Sequence, residues 1–305
     1  MVKVVCFGGV DLLIHDLRRL EIACELKLYD ERPEDPQQII EKIGNAEIVV
    51  SFLNPLGDAV LAQCSNLKLI FCASTGFDNV DLEAAKRYGI AVAYLPDYAT
   101  LAVAEFTIGL MLTMARRIFS AACDVYDGCL YRQSYIGKEL SGKTLGVIGC
   151  GKIGSRVIQI AKNGLGMHVI GCDRGSVSAE YERLYRESDV ISLHVPLNKS
   201  TYHLIGAYEF TLMKQDVIIL NTARGGVIDE KALIDTLQTG KIFAVGLDVL
   251  EEEPANRDNQ LLSFPNVLVT PHIAYNSDGA QKNRSKRLVD LLLKYLANET
   301  IDSVV

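Results

Sequence analysis

Tryptophan is absent from the 305 residues, and none of the eight cysteines forms a Cys-x-x-Cys pair. Without such pairs the usual spacing of a structural zinc site or a dithiol redox motif is missing, and no metal site is expected. Cys6, Cys72 and Cys172 stand inside apolar, strand-like runs, where a free thiol acts as a small hydrophobe, so a reducing, cytoplasmic setting is expected rather than a disulfide framework. Positive charge is also in short supply: 31 Lys and Arg against 38 Asp and Glu leave a net charge of -7. A nucleic-acid partner, which needs a clustered basic surface, is not expected. Long hydrophobic runs are lacking too, since the most apolar stretch, Ala99 to Ala115, contains Glu105 and is bounded by Pro96 and Arg116. It is too short and too polar for a membrane span and reads as a buried helix. The apolar run at the N-terminus, ending at Gly8 and Gly9, is too short for a secretory signal.

What is present suits a globular α/β protein. Hydrophobic residues make up 49% and charged residues 23%, enough apolar material to bury a core and far from the composition of disorder. The length favours two domains. Strand-like runs occur at Lys3 to Phe7, Glu25 to Tyr29, Ile48 to Phe52, Leu67 to Cys72 and Ile90 to Tyr94, separated by helix-length stretches. A second series occupies Thr144 to Ile148, His168 to Cys172, Val190 to His194, Val217 to Leu220, Phe243 to Leu247 and Val267 to Val269. Such alternation predicts two doubly wound parallel sheets. Between the series, Leu101 to Phe119 reads as one long hinge helix and Asp124 to Lys143 as a connecting arm; Ser277 to Asn298 reads as an amphipathic helix.

The run Thr144-Leu-Gly-Val-Ile-Gly149-Cys-Gly151-Lys-Ile-Gly154 puts G-x-G-x-x-G between a β-branched strand and a helical stretch. Gly149 permits a tight turn, Gly151 allows a pyrophosphate to approach the backbone, and Gly154 allows helix and strand to pack closely. The helix N-terminus then offers N–H groups and a positive dipole end. Asp173 follows the next strand, 19 residues after Gly154, near the spacing expected of a carboxylate that accepts from a ribose 2′-OH. A carboxylate there repels a 2′-phosphate, so NAD is expected in preference to NADP. Arg174 beside it reads as a solvated loop charge, with pairing to a phosphate, which would soften that preference, as the alternative. Cys150 sits at a variable position of the loop, where a redox-sensing thiol is the alternative to a packing role.

Three further segments carry chemistry: Leu220-Asn-Thr-Ala-Arg224-Gly-Gly, Asp248-Val-Leu-Glu-Glu-Glu253-Pro and Thr270-Pro-His272. Singly, Arg224 reads as a strand-end charge, Glu251 to Glu253 as a solvated acidic turn and His272 as a loop histidine. Together they lie beyond strand ends, where open α/β sheets bind ligands. With Ser74-Thr-Gly-Phe-Asp-Asn-Val-Asp81, Val103-Ala-Glu105 and Glu139-Leu-Ser-Gly-Lys-Thr144, their order along nearly the whole chain resembles the D-isomer-specific 2-hydroxyacid dehydrogenase family.

That resemblance implies an NAD-binding Rossmann domain at 99–278 and a flavodoxin-like substrate-binding domain formed by 1–98 plus 279–305. It implies Arg224 as the substrate-binding arginine, His272 as the acid and base, and Glu253 as the carboxylate partner of His272. The chemistry suits these residue types: histidine exchanges protons near neutrality, and a guanidinium complements a carboxylate and polarises a carbonyl. Further cofactor contacts are implied at Lys152 and Ile153, Val195 and Pro196, Thr201, Thr222 and Ala223, and at Asp248 on the carboxamide. The loop Ala73-Ser74-Thr75-Gly76 is implied to meet the substrate carboxylate through backbone N–H groups. Ser74 replaces the glycine of many relatives and is expected to narrow the pocket or restrict φ, at the expense of backbone capture of the carboxylate, while Ser51 to Pro55 is expected to line the same cleft with little positive charge. His194 is read as strand-end packing. The connecting arm lacks the aromatic centre of relatives, with Tyr131 as a substitute, and a homodimer is implied. A cofactor-sensing regulator of the corepressor kind and a phosphite-type dehydrogenase remain alternative readings; Glu253 speaks against a formate enzyme.

Overall fold

The apolar runs form parallel strands in the computed structural model, which describes residues 1–128 and 135–305. The chain divides into two units, Met1–Ala99 with Ser277–Val305, and Thr100–Asn276. The first junction falls one residue later than 98/99 and the second two residues earlier than 278/279. Ser277 belongs with the tail because its hydroxyl caps the final helix, accepting from Ala280 N–H.

In the first unit β1 (Lys3–Cys6), α1 (Ile14–Ala23), β2 (Glu25–Leu28), α2 (Pro36–Ile43), β3 (Ile48–Ser51), α3 (Asp58–Leu61), β4 (Leu69–Cys72), α4 (Leu82–Arg87) and β5 (Ala91–Tyr94) alternate. The sheet order is β2-β1-β3-β4-β5, the flavodoxin-like winding. Asp35 and Asp81 start α2 and α4 by accepting from Gln38 and Ala84 N–H. Alternation along the strands sends Val5, Val49, Ile70 and Val92 into one core, while Val4, Ile48, Leu69 and Phe71 are buried on the opposite face. Burial of each such side chain stabilises by about 1.5–3 kcal/mol.

The second unit contains α5 (Thr100–Ala115), α6 (Ile118–Tyr126), β6 (Thr144–Ile148), α7 (Lys152–Gly164), β7 (His168–Cys172), α8 (Ser178–Glu187), β8 (Val190–Leu193), α9 (Ala207–Leu212), β9 (Val217–Asn221), α10 (Glu230–Gln238), β10 (Ile242–Leu247) and β11 (Val267–Val269). Its order is β11-β10-β9-β8-β6-β7. After β6 the chain steps first to β7 on one side and then to β8 on the other, so the strand order reverses there and a crevice opens beyond the carboxyl ends of β6 and β8. One face of the sheet packs Met111 of α5 and Val157 of α7 against Val147 and Ile218; the other packs Leu184, Phe210 and Leu233 against Ile219 and Val245. At Gly246 a Cβ would stand 2.6 Å from Leu110 Cγ, so α5 crosses β10 where the strand has no side chain.

The long helix expected at Leu101 to Phe119 is instead two helices, broken at Arg117, which adopts φ +53°. The returning chain explains the break. Lys138 N–H donates to Ala115 O at 2.7 Å, and a Cβ on Gly137 would stand 2.8 Å from Arg116 Cα, so the returning segment occupies the space of a continued helix. Part of the expected arm, including Tyr131, lies outside the described residues. Among the described residues no helix is long and apolar enough to cross a membrane. The final helix, α11 (Asp278–Leu296), packs on α1, where Arg19 bonds Asp290 and Ser285 Oγ donates to the buried Asp16 at 2.7 Å.

Candidate active site

The glycine turn is built as its spacing requires. Gly149 has φ +94°, and a Cβ there would lie 2.6 Å from His194 O at the end of β8. A Cβ on Gly154 would approach Gly149 O to 2.0 Å, so α7 lies flush on the turn. Gly151, the N-cap of α7, has no atom within 4 Å of its Cβ position. The open side of the turn is therefore free for a ligand. The first helical bond is Ser155 N–H to Gly151 O, so the N–H groups of Lys152, Ile153 and Gly154 form the positive end of α7. A pyrophosphate fits this cradle.

Asp173 stands exposed directly after β7, where its Oδ1 accepts from Arg174 N–H at 2.8 Å. Cys150 packs its Sγ toward Gly171, 2.6 Å from the Cβ position there. Burial raises the Cys150 thiol above its ordinary value, and Asp173 and Cys172 add to the effect. A redox-reactive thiol needs the opposite environment.

The other residues expected at the cofactor are tied to their own loops. Val195 Cγ1 comes within 2.9 Å of the Gly149 Cβ position. Thr201 Oγ1 donates its hydrogen to Pro196 O at 2.6 Å and accepts from Asn198 N–H, so its hydroxyl shapes the loop. Thr107 Oγ1 donates to Val103 O at 2.7 Å, which makes Thr222 the donor in the 2.8 Å contact between the two hydroxyls. The buried amide of Asn221 accepts from Ala223 N–H and donates to Arg224 O at 2.8 Å, clamping the turn that follows β9.

Arg224 opens a short 3₁₀ turn, Gly225–Val227, and its Nη1 donates to Ala223 O. A Cβ on Gly225 would stand 1.9 Å from Leu250 C and O, so the peptide joining Leu250 and Glu251 lies directly on this turn. This contact, which spacing did not reveal, brings the loop of Glu253 against the turn of Arg224. Glu253 Oε1 accepts from Leu250 N–H at 3.1 Å, and its Oε2 lies 2.7 Å from His272 Nδ1. A carboxylate only accepts, so Nδ1 carries the proton and Nε2 is the nitrogen left to face a substrate.

His272 adopts φ +52°, a conformation held by Asp248. Asp248 is 1% exposed; its Oδ1 accepts from Thr270 Oγ1 and Ile273 N–H, and its Oδ2 from Ala274 N–H at 2.7 Å. Its backbone O also accepts from His272 N–H. Burial raises the Asp248 carboxyl above the usual range, against the pull of these donors and of His272. The carboxylate expected at the carboxamide thus grips the His272 loop. Tyr275 places its ring edge-on to His272, with centroids 6.2 Å apart.

In the other unit, Ala73–Gly76 follows β4. Ser74 Oγ donates to Gly76 O at 2.7 Å and Thr75 Oγ1 to Leu95 O, while the N–H groups of Ser74, Thr75 and Gly76 meet no acceptor among the described residues. The Ser74 side chain folds back on its own loop and leaves those donors presented. The neighbouring Ser51–Pro55 loop has no positive charge of its own, but Arg284 of α11, 1% exposed, lies 4.8 Å over the Phe52 ring. Only folding brings that guanidinium to the loop. Among the described residues one group, His203, Asp229 and Glu251, gathers metal-type donor atoms within 4.8 Å of one another, but Glu251 Oε1 there already accepts from Glu230 N–H.

Residues 108–274 match a family model described as D-isomer specific 2-hydroxyacid dehydrogenase, NAD binding domain. The chain is 44% identical to a hydroxypyruvate reductase of Thermotoga maritima, over 78% of this chain and 80% of that protein. It is 42% identical to a D-3-phosphoglycerate dehydrogenase of Methanocaldococcus jannaschii over 88% of this chain, and spans about half (53%) of that longer protein. A crystal structure of D-lactate dehydrogenase from Aquifex aeolicus, complexed with NAD and lactic acid, is similar with a TM-score of 0.83 and 32% identity, covering 97% of this chain and 96% of that one.

His194, beside the glycine turn, has Nε2 2.9 Å from Ser192 Oγ, and desolvation lowers its pKa from 6.5 to about 4. Between those values the unfolded chain binds a proton that the folded ring refuses, so this residue lowers stability as pH falls through the window and has no effect above it. An NMR titration is expected to show no protonation of His194 down to about pH 5.5. A midpoint above about 6 would show a solvated ring instead.

Proposed function

Because the chain belongs to the D-isomer-specific 2-hydroxyacid dehydrogenase family, we propose that it interconverts a small D-2-hydroxy acid and its 2-keto acid with NAD as the hydride carrier. The observation that carries this reading is the 2.7 Å pairing of Glu253 with His272, on a loop laid against the turn of Arg224. The residues of the glycine turn would hold the dinucleotide, which would supply a hydride as NADH or take one up as NAD. In reduction His272 Nε2 gives a proton to the carbonyl oxygen; in oxidation the same nitrogen removes it from the hydroxyl. Glu253 holds Nδ1–H and stabilises the charge that forms on the ring. Arg224 receives the substrate carboxylate and polarises the carbonyl; within its own unit, the loop of Ser74, Thr75 and Gly76 presents N–H donors of the kind that suit a carboxylate. Lys152 and Ile153 serve the pyrophosphate, Asp173 the adenine ribose, and Val195, Pro196, Thr201, Thr222, Ala223 and Asp248 border the rest of the cofactor. Glyoxylate and hydroxypyruvate are the proposed class of substrate, in line with the naming of relatives. The free thiols of the described cysteines fit a reducing, cytoplasmic setting.

The deciding assay follows NADH oxidation by purified protein with a panel of short 2-keto acids, with phosphite and NAD as a control. Keto-acid turnover is expected; NADH binding without turnover would leave a cofactor sensor, and phosphite oxidation alone would reassign the reaction. The change His272→Asn is expected to lower kcat by about 10²–10⁴-fold with NADH affinity kept. Equal activity in that variant removes His272 from the mechanism. For Asp173→Ala, discrimination against NADPH should relax, and an unchanged ratio of kcat/KM for the two cofactors would place the carboxylate elsewhere.

A homodimer is also proposed, with α6 in the contact. That helix buries none of its residues although Ile118 and Val125 are each 53% exposed and Tyr126 is 90% exposed. An apolar helix left bare in one chain is accounted for by a second copy. Sedimentation is expected to give a dimer for the parent protein and a monomer for Val125→Asp; a monomeric parent ends the proposal.

A further inference from the structure

The three glutamates after β10 have distinct surroundings. All three are exposed; Glu252 makes no side-chain hydrogen bond among the described residues, and Glu253 meets His272. Glu251 is fastened to the start of α10 by an exchange of hydrogen bonds: its N–H donates to Glu230 Oε1 at 2.6 Å, and its Oε1 accepts from Glu230 N–H at 3.0 Å. The second of these satisfies a first-turn donor of α10, where the helix dipole also favours a carboxylate. His203 Nε2 lies 2.9 Å from the same Oε1, and Asn259 Nδ2 donates to Glu230 Oε2 at 3.3 Å, so Glu230 is itself held. One residue earlier the chain rests on Gly225.

Glu253 therefore hangs two residues beyond a clamp. Its Oε1 is drawn to Leu250 N–H, and its Oε2 reaches His272 with no slack, since a displacement of about 1 Å takes a 2.7 Å contact beyond hydrogen-bond range. We propose that Glu251, with Glu230 and His203, is a positioning residue for the Glu253–His272 pair, and that it acts by fixing which nitrogen of His272 carries the proton. The proposal rests on the function given above for that pair. Once Glu253 drifts, nothing else described at Nδ1 selects the Nδ1–H tautomer, and the Nε2–H form places a hydrogen where the oxidation direction needs a lone pair.

Full-length Glu251→Ala and Glu251→Gln proteins with ¹⁵N-labelled histidine test this, with His272→Gln used to assign the resonances. Glutamine keeps a carbonyl acceptor for Glu230 N–H but carries no charge, so the pair separates lost hydrogen bonds from lost electrostatics. The parent and Glu251→Gln are expected to hold neutral His272 as Nδ1–H. In Glu251→Ala the ratio of Nδ1–H to Nε2–H should fall by at least about twofold. There kcat should drop by about 10- to 100-fold while KM for NADH changes by less than about twofold. Glu230→Ala, which leaves the Glu251 side chain in place but removes the acceptor for Glu251 N–H together with that for Asn259 Nδ2, is the second variant should Glu251→Ala fail to fold, and the same direction of change is expected. An unaltered tautomer ratio, or equal loss in the Ala and Gln proteins, overturns the proposal. A parent protein that reduces no keto acid would sink the assigned function instead, and the ring spectrum would still decide the part played by Glu251.

Discussion

A carboxylate oxygen 2.7 Å from an imidazole Nδ1 fixes the proton on that nitrogen and leaves Nε2 as the nitrogen able to exchange one, and the rest of the candidate site is organised around keeping that contact. Glu253 and His272 come from different loops, beyond β10 and β11, so their meeting depends on how each loop is held. Asp248 does this for His272. Its buried carboxylate gathers a hydroxyl and two backbone N–H groups on either side of a residue in the left-handed region, a conformation that a side chain occupies only when its surroundings impose it.

The Glu253 loop is held from below by the absence of a side chain at Gly225. With a Cβ position 1.9 Å from Leu250 C, no larger residue leaves room for the loop to lie on the Arg224 turn. The second glycine-dependent contact, at Gly149 and Gly154, joins α7 to the sheet at the point where the strand order reverses. Both placements put backbone against backbone. Close approach of this kind is open to glycine because it has no Cβ, and at Gly149 the positive φ of the turn demands glycine as well.

Much of the fold was legible because it follows from local rules. The strands Thr144–Ile148, His168–Cys172 and Val267–Val269 have the bounds that their β-branched runs suggest. The glycine turn was legible because three glycines between a strand and a helix admit few conformations. The break at Arg117 was not, since the residues around it are good helix formers; it comes from the Gly137–Lys138 segment capturing the helix end, a contact across the chain that no window of sequence contains. Arg284 over Phe52 was hidden for the same reason.

Residue type and order alone determined the α/β architecture, the cofactor turn with its following carboxylate, and the three residues suited to proton exchange and carboxylate binding. The architecture and the turn depend on hydrophobic periodicity and glycine spacing, whereas the three residues stand out through the family resemblance that their order along the chain carries. Tertiary structure decided which groups are spent on the protein itself: the Thr201 hydroxyl on its loop, the Asp248 carboxylate on the His272 loop, and Glu251, out of three adjacent glutamates, on the end of α10. A hydrogen bond requires its two atoms to lie within about 3 Å with the right donor and acceptor sense, and that distance between remote residues exists only once the chain has folded.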